Sequence, residues 1–172
     1  MFDVEELSTH GGSLRIYARH QEDTSKPVGS RVTQLLSHEL EMGFGRIERY
    51  LGFRQQVEDT KRRLLAFLID AKRAGRSVAG YGAPGKGNTL LNYCGIRTDF
   101  LEYTVDRSPH KHGKFTPGTH IPIFAPDRID QTRPDYVLIL PWNFKDEIVA
   151  QMSYIREWGG QFIVPIPVAS IC

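Results

Sequence analysis

Apolar and polar positions change their period repeatedly along the chain, and each change marks a different kind of element. Between residues 2 and 20, Val4 and Leu7 sit in one short stretch, Leu14-Arg15-Ile16-Tyr17 alternates in a second, and Gly11-Gly12 lies between them. That pattern predicts a pair of strands around a turn. Two strands alone are marginal in water, and the polar run from Gln21 to Gly29 that follows reads as a linker rather than a partner sheet. The opening segment therefore looks like the tail of something else. From Ser30 to Gly75 the spacing is helical, with Leu35, Leu36, Leu40 and Phe44 in one apolar set. Phe53, Val57, Leu64, Leu65, Phe67, Leu68 and Ile69 form the second set. We place the break near Gly52, so that the second helix runs from Phe53 to Ala74 and stops at Gly75.

From Ser77 onward, strand-like and helix-like stretches alternate. The expected strands are 77–81, 102–106, 121–123, 136–140 and 162–164, and the expected helices are 86–94, 127–130 and 144–158. Tyr136-Val137-Leu138-Ile139-Leu140 is continuously apolar, the signature of a strand buried on both faces. Such alternation predicts an α/β fold: a Rossmann-like, mostly parallel sheet flanked by helices and joined by right-handed crossovers. It is preceded here by the β-hairpin remnant and a helical segment. The corresponding divisions are 1–20, 21–52 and 53–172.

Ligands on such sheets gather at the carboxyl ends of the strands, and three stretches fall there. The first is Gly80-Tyr81-Gly82-Ala83-Pro84-Gly85-Lys86-Gly87-Asn88, a G-x-G-x-x-G turn between a strand and a helix. Glycine lets the backbone approach a phosphate without a Cβ in the way, and the following helix offers unpaired N–H groups and a positive dipole end. Lys86 adds a full charge. Strand-to-helix turns also favour glycine on geometry alone, so an anion site and a plain turn both stay open at this point. The second stretch is Asp106-Arg107-Ser108-Pro109-His110-Lys111-His112-Gly113-Lys114, a basic loop longer than a connection requires. Asp106 stands at about the 20-residue spacing at which an acid meets a ribose hydroxyl, or it caps an ordinary turn; Arg107, Lys111 and Lys114 suit a diphosphate. The third is Pro141-Trp142-Asn143, where Trp142 can stack on a base or sugar and Asn143 is placed to cap the next helix.

Composition narrows the classes. A net charge of +2 with mixed signs throughout excludes a polybasic nucleic-acid binder. His110, His112 and His120 lack metal-site spacing, and no nucleophile–base–acid set is visible, so we assign neither metal nor catalytic residues. Cys94 and Cys172 form no disulfide framework, no stretch is apolar enough to span a membrane, and no signal peptide is present, which makes the cytoplasm the expected location.

Several ordered stretches together resemble one family. They are G-Y-G-A-P-G-K-G-N-T-L-L-N-Y-C-G-I (80–96), T-V-D-R-S-P-H-K-H-G-K (104–114) and P-G-T-H-I-P-I (117–123), then R-P-D-Y-V-L-I-L-P-W-N (133–143) and W-G-G-Q-F-I-V-P-I-P (158–167). They resemble the C-terminal domain of S-adenosylmethionine-dependent C-methyltransferases that modify nucleotide-linked deoxysugars, over about Phe53 to Pro167. T-H-G-G-S-L-R-I-Y-A (9–18) is similar to the closing strands of the preceding methyltransferase domain in those enzymes. One departure is Gly85, where the family turn carries Ala.

The resemblance implies a substrate-binding domain for an NDP-deoxysugar. Its candidate contacts are Tyr81, Gly82, Ala83, Pro84, Gly85, Lys86, Gly87, Asn88, Asp106, Arg107, Lys111, His112, Lys114, Trp142 and Asn143. It implies that S-adenosylmethionine is bound by a methyltransferase domain, in cis or in trans, that this chain lacks, and that the chain alone transfers no methyl group. The rival reading from the residues alone is a free-standing nucleotide- or dinucleotide-binding module built on the same turn and Asp106.

Overall fold

The amino-terminal alternation folds as a hairpin. In the computed structural model, which describes residues 1–172, β1 (Asp3–Leu7) and β2 (Ser13–Tyr17) pair antiparallel with Val4 opposite Ile16. Val4 is buried, whereas Leu14 and Ile16 stay exposed. α1 (Ser30–Glu41) follows, and its Arg31 forms ion pairs with Asp3 and Glu5 of β1. These elements belong to the first of two units, Met1–Gln56; the second is Val57–Cys172. The hairpin, the polar run and the first helix all fall in the first unit.

The helix break lies earlier than the sequence suggests. α1 ends at Glu41 and α2 spans Ile47–Arg73, so Gly52 sits inside a helix. Gly43 adopts φ +78°, the left-handed geometry that ends helices, while the Phe44 amide donates back to the Glu39 carbonyl. A glycine within a long helix costs only about 1 kcal/mol relative to alanine, which the other residues of α2 absorb.

The second unit is a sheet with helices on both faces. Its strands are β3 (Val78–Tyr81), β4 (Thr104–Val105), β5 (Ile123–Phe124), β6 (Tyr136–Ile139), β7 (Gln161–Val164) and β8 (Ser170–Ile171). They lie in the order β5-β4-β3-β6-β7-β8, with all pairings parallel except β7–β8. Chain order reverses between β3 and β6, which makes that junction the topological switch point of a Rossmann-like sheet. α3 (Gly85–Cys94) follows β3, a short α4 (Arg128–Thr132) precedes β6, and α5 (Lys145–Gln151) precedes β7. The expected 144–158 helix is broken: α5 is flanked by 3-10 segments at Trp142–Phe144 and Ser153–Trp158. β8 was not expected, since Ser170-Ile171 carries too little pattern to announce a strand.

Alternate residues of each strand serve opposite faces. Val78 and Leu138 join Leu64, Leu68 and Leu91 of α2 and α3 on one side, whereas Ala79, Val137 and Phe162 join Ile129, Ile148 and Ile155 on the other. Val137, Leu138 and Ile139 have no exposed surface, in keeping with a strand covered twice. Leu68→Ala is expected to lower unfolding free energy by about 2–5 kcal/mol through lost transfer energy and a residual cavity, measured by urea denaturation; a loss under 0.5 kcal/mol would contradict this packing.

Candidate functional site

Absent side chains shape the carboxyl end of β3. A Cβ on Gly87 would stand 2.8 Å from the Leu140 Cβ, and one on Gly82 would stand 2.7 Å from the Pro141 Cδ. Gly82 also holds φ +85°, which side chains disfavour. These two glycines let the turn and α3 sit directly on the end of β6. Gly85 is different: a Cβ there would meet nothing within 4 Å, so an alanine at this position would fit without a clash.

Part of the turn is already hydrogen-bonded. The Gly82 amide donates to the Val105 carbonyl at 2.6 Å, and the Ala83 amide donates to Asp106 Oδ2 at 2.8 Å. Pro84 takes the N-cap position in extended geometry and has no N–H. The amides of Gly85, Lys86 and Gly87, the first turn of α3, have no protein acceptor. The portion of the turn open to an anion is therefore its helical end, not the bend as a whole.

Asp106 is engaged by the protein itself. Its Oδ2 accepts from the Ala83 amide and from Lys111 Nζ at 2.9 Å, and its Oδ1 accepts from the Ser108 amide at 2.8 Å. Lys111 Nζ also donates to the Ala83 carbonyl, and His112 Nε2 lies 2.7 Å from the Asp106 carbonyl. Burial by itself would raise the Asp106 carboxyl, but the donors from Lys111, Ser108 and Ala83 outweigh it and hold the group below its ordinary value. Asp106 and Lys111 thus tie the basic loop to the glycine turn, and Lys114 remains exposed beyond them.

The third stretch closes over Lys86. Lys86 Nζ donates to Asn143 Oδ1 and lies over the rings of Trp142, at 5.0 Å from its centroid, and Phe144, at 6.0 Å. Asn143 does not cap α5, contrary to the sequence reading; it sits in the 3-10 turn before that helix and makes no cap bond. Asn88 Oδ1 and Asn143 Nδ2 are both buried without a partner. A cavity of about 260 Å³ opens beside this segment, with Tyr81, Asp106, Arg107, Phe144, Glu147 and Gln151 in its wall. Burial pushes the Tyr81 phenol up, and Arg107 Nη1 faces Glu147 Oε1 at 3.5 Å. Phe144, Glu147 and Gln151 were missed from the sequence, although Phe144, Ile148 and Gln151 follow the i, i+4, i+7 spacing of one helix stripe.

A larger cavity, about 670 Å³, lies in the first unit against β1 and α1. It contains none of the candidate contact residues, and its Arg31 is already paired with Asp3 and Glu5. No group of three His, Cys, Asp or Glu side chains is arranged to hold a metal ion.

Comparison with known proteins gives three findings. The profile of a family described as the C-methyltransferase C-terminal domain matches residues 8–167. The C-methyltransferase NovU of Streptomyces niveus is 34% identical over 165 residues, 96% of this chain but 39% of that relative's length. Among solved structures, UDP-D-quinovosamine 4-dehydrogenase from Vibrio fischeri superimposes with a TM-score of 0.38 at 21% identity, covering 52% of this chain and 76% of that one.

The Asp106 tie generates a pH prediction. Its folded-state acidity is stronger than the ordinary carboxylate's, so its contribution to stability is present above the unfolded value near pH 4 and is lost as pH falls through the lower folded value. Asp106→Asn should cost about 1–3 kcal/mol at pH 7, with the gap to wild type narrowing below pH 4 in urea melts; a gap independent of pH would refute the assignment.

Proposed function

The chain belongs to the C-methyltransferase C-terminal domain family, and from that premise we propose that its second unit holds the nucleotide-linked sugar on which methyl transfer takes place. The observation that carries this reading is the unpaired first turn of α3. Three consecutive amides without acceptors lie at the switch point of the sheet beside Lys86, and anions are favoured there by both hydrogen bonding and the helix dipole. A diphosphate supplies the acceptors. Lys86 leaves the Trp142 and Phe144 rings to reach it, and Arg107 approaches from the far side of the turn.

Of the other residues the sequence marked, Tyr81, Trp142 and Asn143 flank the diphosphate. Gly82, Ala83, Pro84, Gly87, Asp106, Lys111 and His112 set the shape of the turn and its loop. Asn88 lies in the first turns of α3, and Lys114 adds positive potential at the rim. S-adenosylmethionine, when bound, supplies an electrophilic methyl group, and we assign its binding to the part of the relative's length that this chain does not match. That part then works as a methyltransferase domain in cis or in trans. Two free thiols suit a reducing, cytoplasmic setting, and no helix is long and apolar enough to cross a membrane.

Titration calorimetry with a nucleoside-diphosphate sugar, NADH and S-adenosylmethionine tests the proposal. The sugar nucleotide is expected to bind and the other two are not. Lys86→Ala should weaken sugar-nucleotide binding by about tenfold or more, in line with about 1.5–3 kcal/mol for a hydrogen bond to a charged group. Tight NADH binding without sugar-nucleotide binding would replace this reading with a dinucleotide module, and an unchanged Lys86→Ala affinity would remove the lysine from the site.

A further inference from the structure

The first unit leaves a broad apolar surface uncovered where α1 turns into α2. Val32 is the buried residue of α1, whereas Leu36 and Leu40, spaced i, i+4, are exposed. The turn carries Phe44, and the first turns of α2 carry Ile47, Tyr50, Leu51 and Phe53, all exposed; Leu40 and Leu51 each keep 68% of their surface open to solvent. Short contacts join these residues into one patch. The Tyr50 hydroxyl donates to the Phe44 carbonyl at 2.8 Å, the two rings stand 6.4 Å apart, and a Cβ on Gly45 would meet the Leu40 side chain at 3.5 Å.

Such a surface is large for a protein standing alone. With about half of each large side chain uncovered, and about 200 Å² for such a side chain, the patch comes to roughly 800 Å². The largest apolar patch on a typical monomer is about 300–600 Å², and about 800 Å² is what each partner brings to a stable interface. The helix itself needs the cover. Residues 47–56 of α2 are exposed on every side, and a helical stretch of that length draws little stability from propensity without tertiary packing.

Charge decides what covers the patch. Between Leu36 and Arg54 stand three acids, Glu39, Glu41 and Glu48, and three arginines, Arg46, Arg49 and Arg54, so this stretch has no net charge. Two of the acids lie at the end of α1, and Arg46 and Arg49 lie at the start of α2. A strongly acidic or basic partner would be matched by a surface of one sign. A surface with both signs in separate places is complementary to its own copy turned about a two-fold axis. We infer that two copies of this chain associate through the α1–α2 corner about such an axis, with Glu39 and Glu41 of each facing the arginines of α2 in the other. The apolar side chains fill the centre and the charges form the rim. All of these residues belong to the first unit, so the association stands apart from what the second unit binds.

Sedimentation equilibrium of the full chain over a range of concentrations tests this, and a reversible dimer is the expected result. Leu40→Glu and Leu51→Glu, both at exposed positions, should each weaken dimerisation by about thirtyfold or more. Fluorescence of Trp142 and Trp158, both in the second unit, should stay unchanged and so report that the variants fold. Charge exchange gives a sharper test. A chain with Arg46→Glu and Arg49→Glu and a chain with Glu39→Arg and Glu41→Arg should each dimerise about tenfold more weakly alone than when mixed, because the mixture restores both sets of opposite charges. A wild-type chain that stays monomeric at every concentration, open-ended polymers, leucine variants as tight as wild type, or a mixture no tighter than its parts would overturn the proposal. So would a monomer whose patch is shielded from hydrogen exchange only on adding the part of NovU that this chain does not match, since the surface would then belong to a different polypeptide.

Discussion

Close approach of backbone to side chain where β3 turns into α3 is the constraint on which the rest of the second unit depends. Gly82 lies against Pro141 and Gly87 against Leu140, so the first turn of α3 sits on the end of β6. Any larger residue at either place would lift the helix from the sheet. That seating aims the free amides of Gly85, Lys86 and Gly87 at the switch point, and it brings Lys86 within reach of Asn143. The candidate site follows from a packing requirement satisfied two or three residues away.

Rigidity on the other side of the turn comes from charge. Asp106 gathers donors from Ala83, Ser108 and Lys111, which holds a long loop against the glycine bend. These residues have the composition of a phosphate site, yet they bind one another. Lys86 likewise rests on aromatic rings and an amide oxygen rather than standing free. Two cations of the same region thus have different surroundings: Lys111 ties the loop to Asp106, and Lys86 packs on Trp142 and Phe144 and bonds Asn143.

Much of this fold was legible because its strands and helices carry strong periodicity. The Tyr136–Leu140 run announced a doubly covered strand, and β6 is one. The G-x-G-x-x-G turn announced a strand-to-helix junction, and the alternation announced a mostly parallel sheet; that the turn stands at the reversal of strand order is seen only in the structure. Less was legible where geometry at single residues decides. Gly43 and Gly52 are the same residue type, but only the first takes the left-handed conformation that ends a helix. β8 is held by pairing with β7 rather than by its own sequence. At the site, sequence identified Asp106 and Asn143 as polar groups at strand ends. Whether each is committed to the protein depends on neighbours 23 residues away for Asp106 and Ala83, and 57 for Asn143 and Lys86.

The short antiparallel strand at the carboxyl terminus has a further effect. By pairing along β7 it covers what would otherwise be the edge of a strand whose Phe162, Ile163 and Val164 are all buried. The sheet's two margins are then β8 and β5, each only two residues long. Margins so short present few unpaired N–H and C=O groups to a neighbouring molecule, so the second unit is protected against edge-to-edge aggregation without any charged residue being spent on that task.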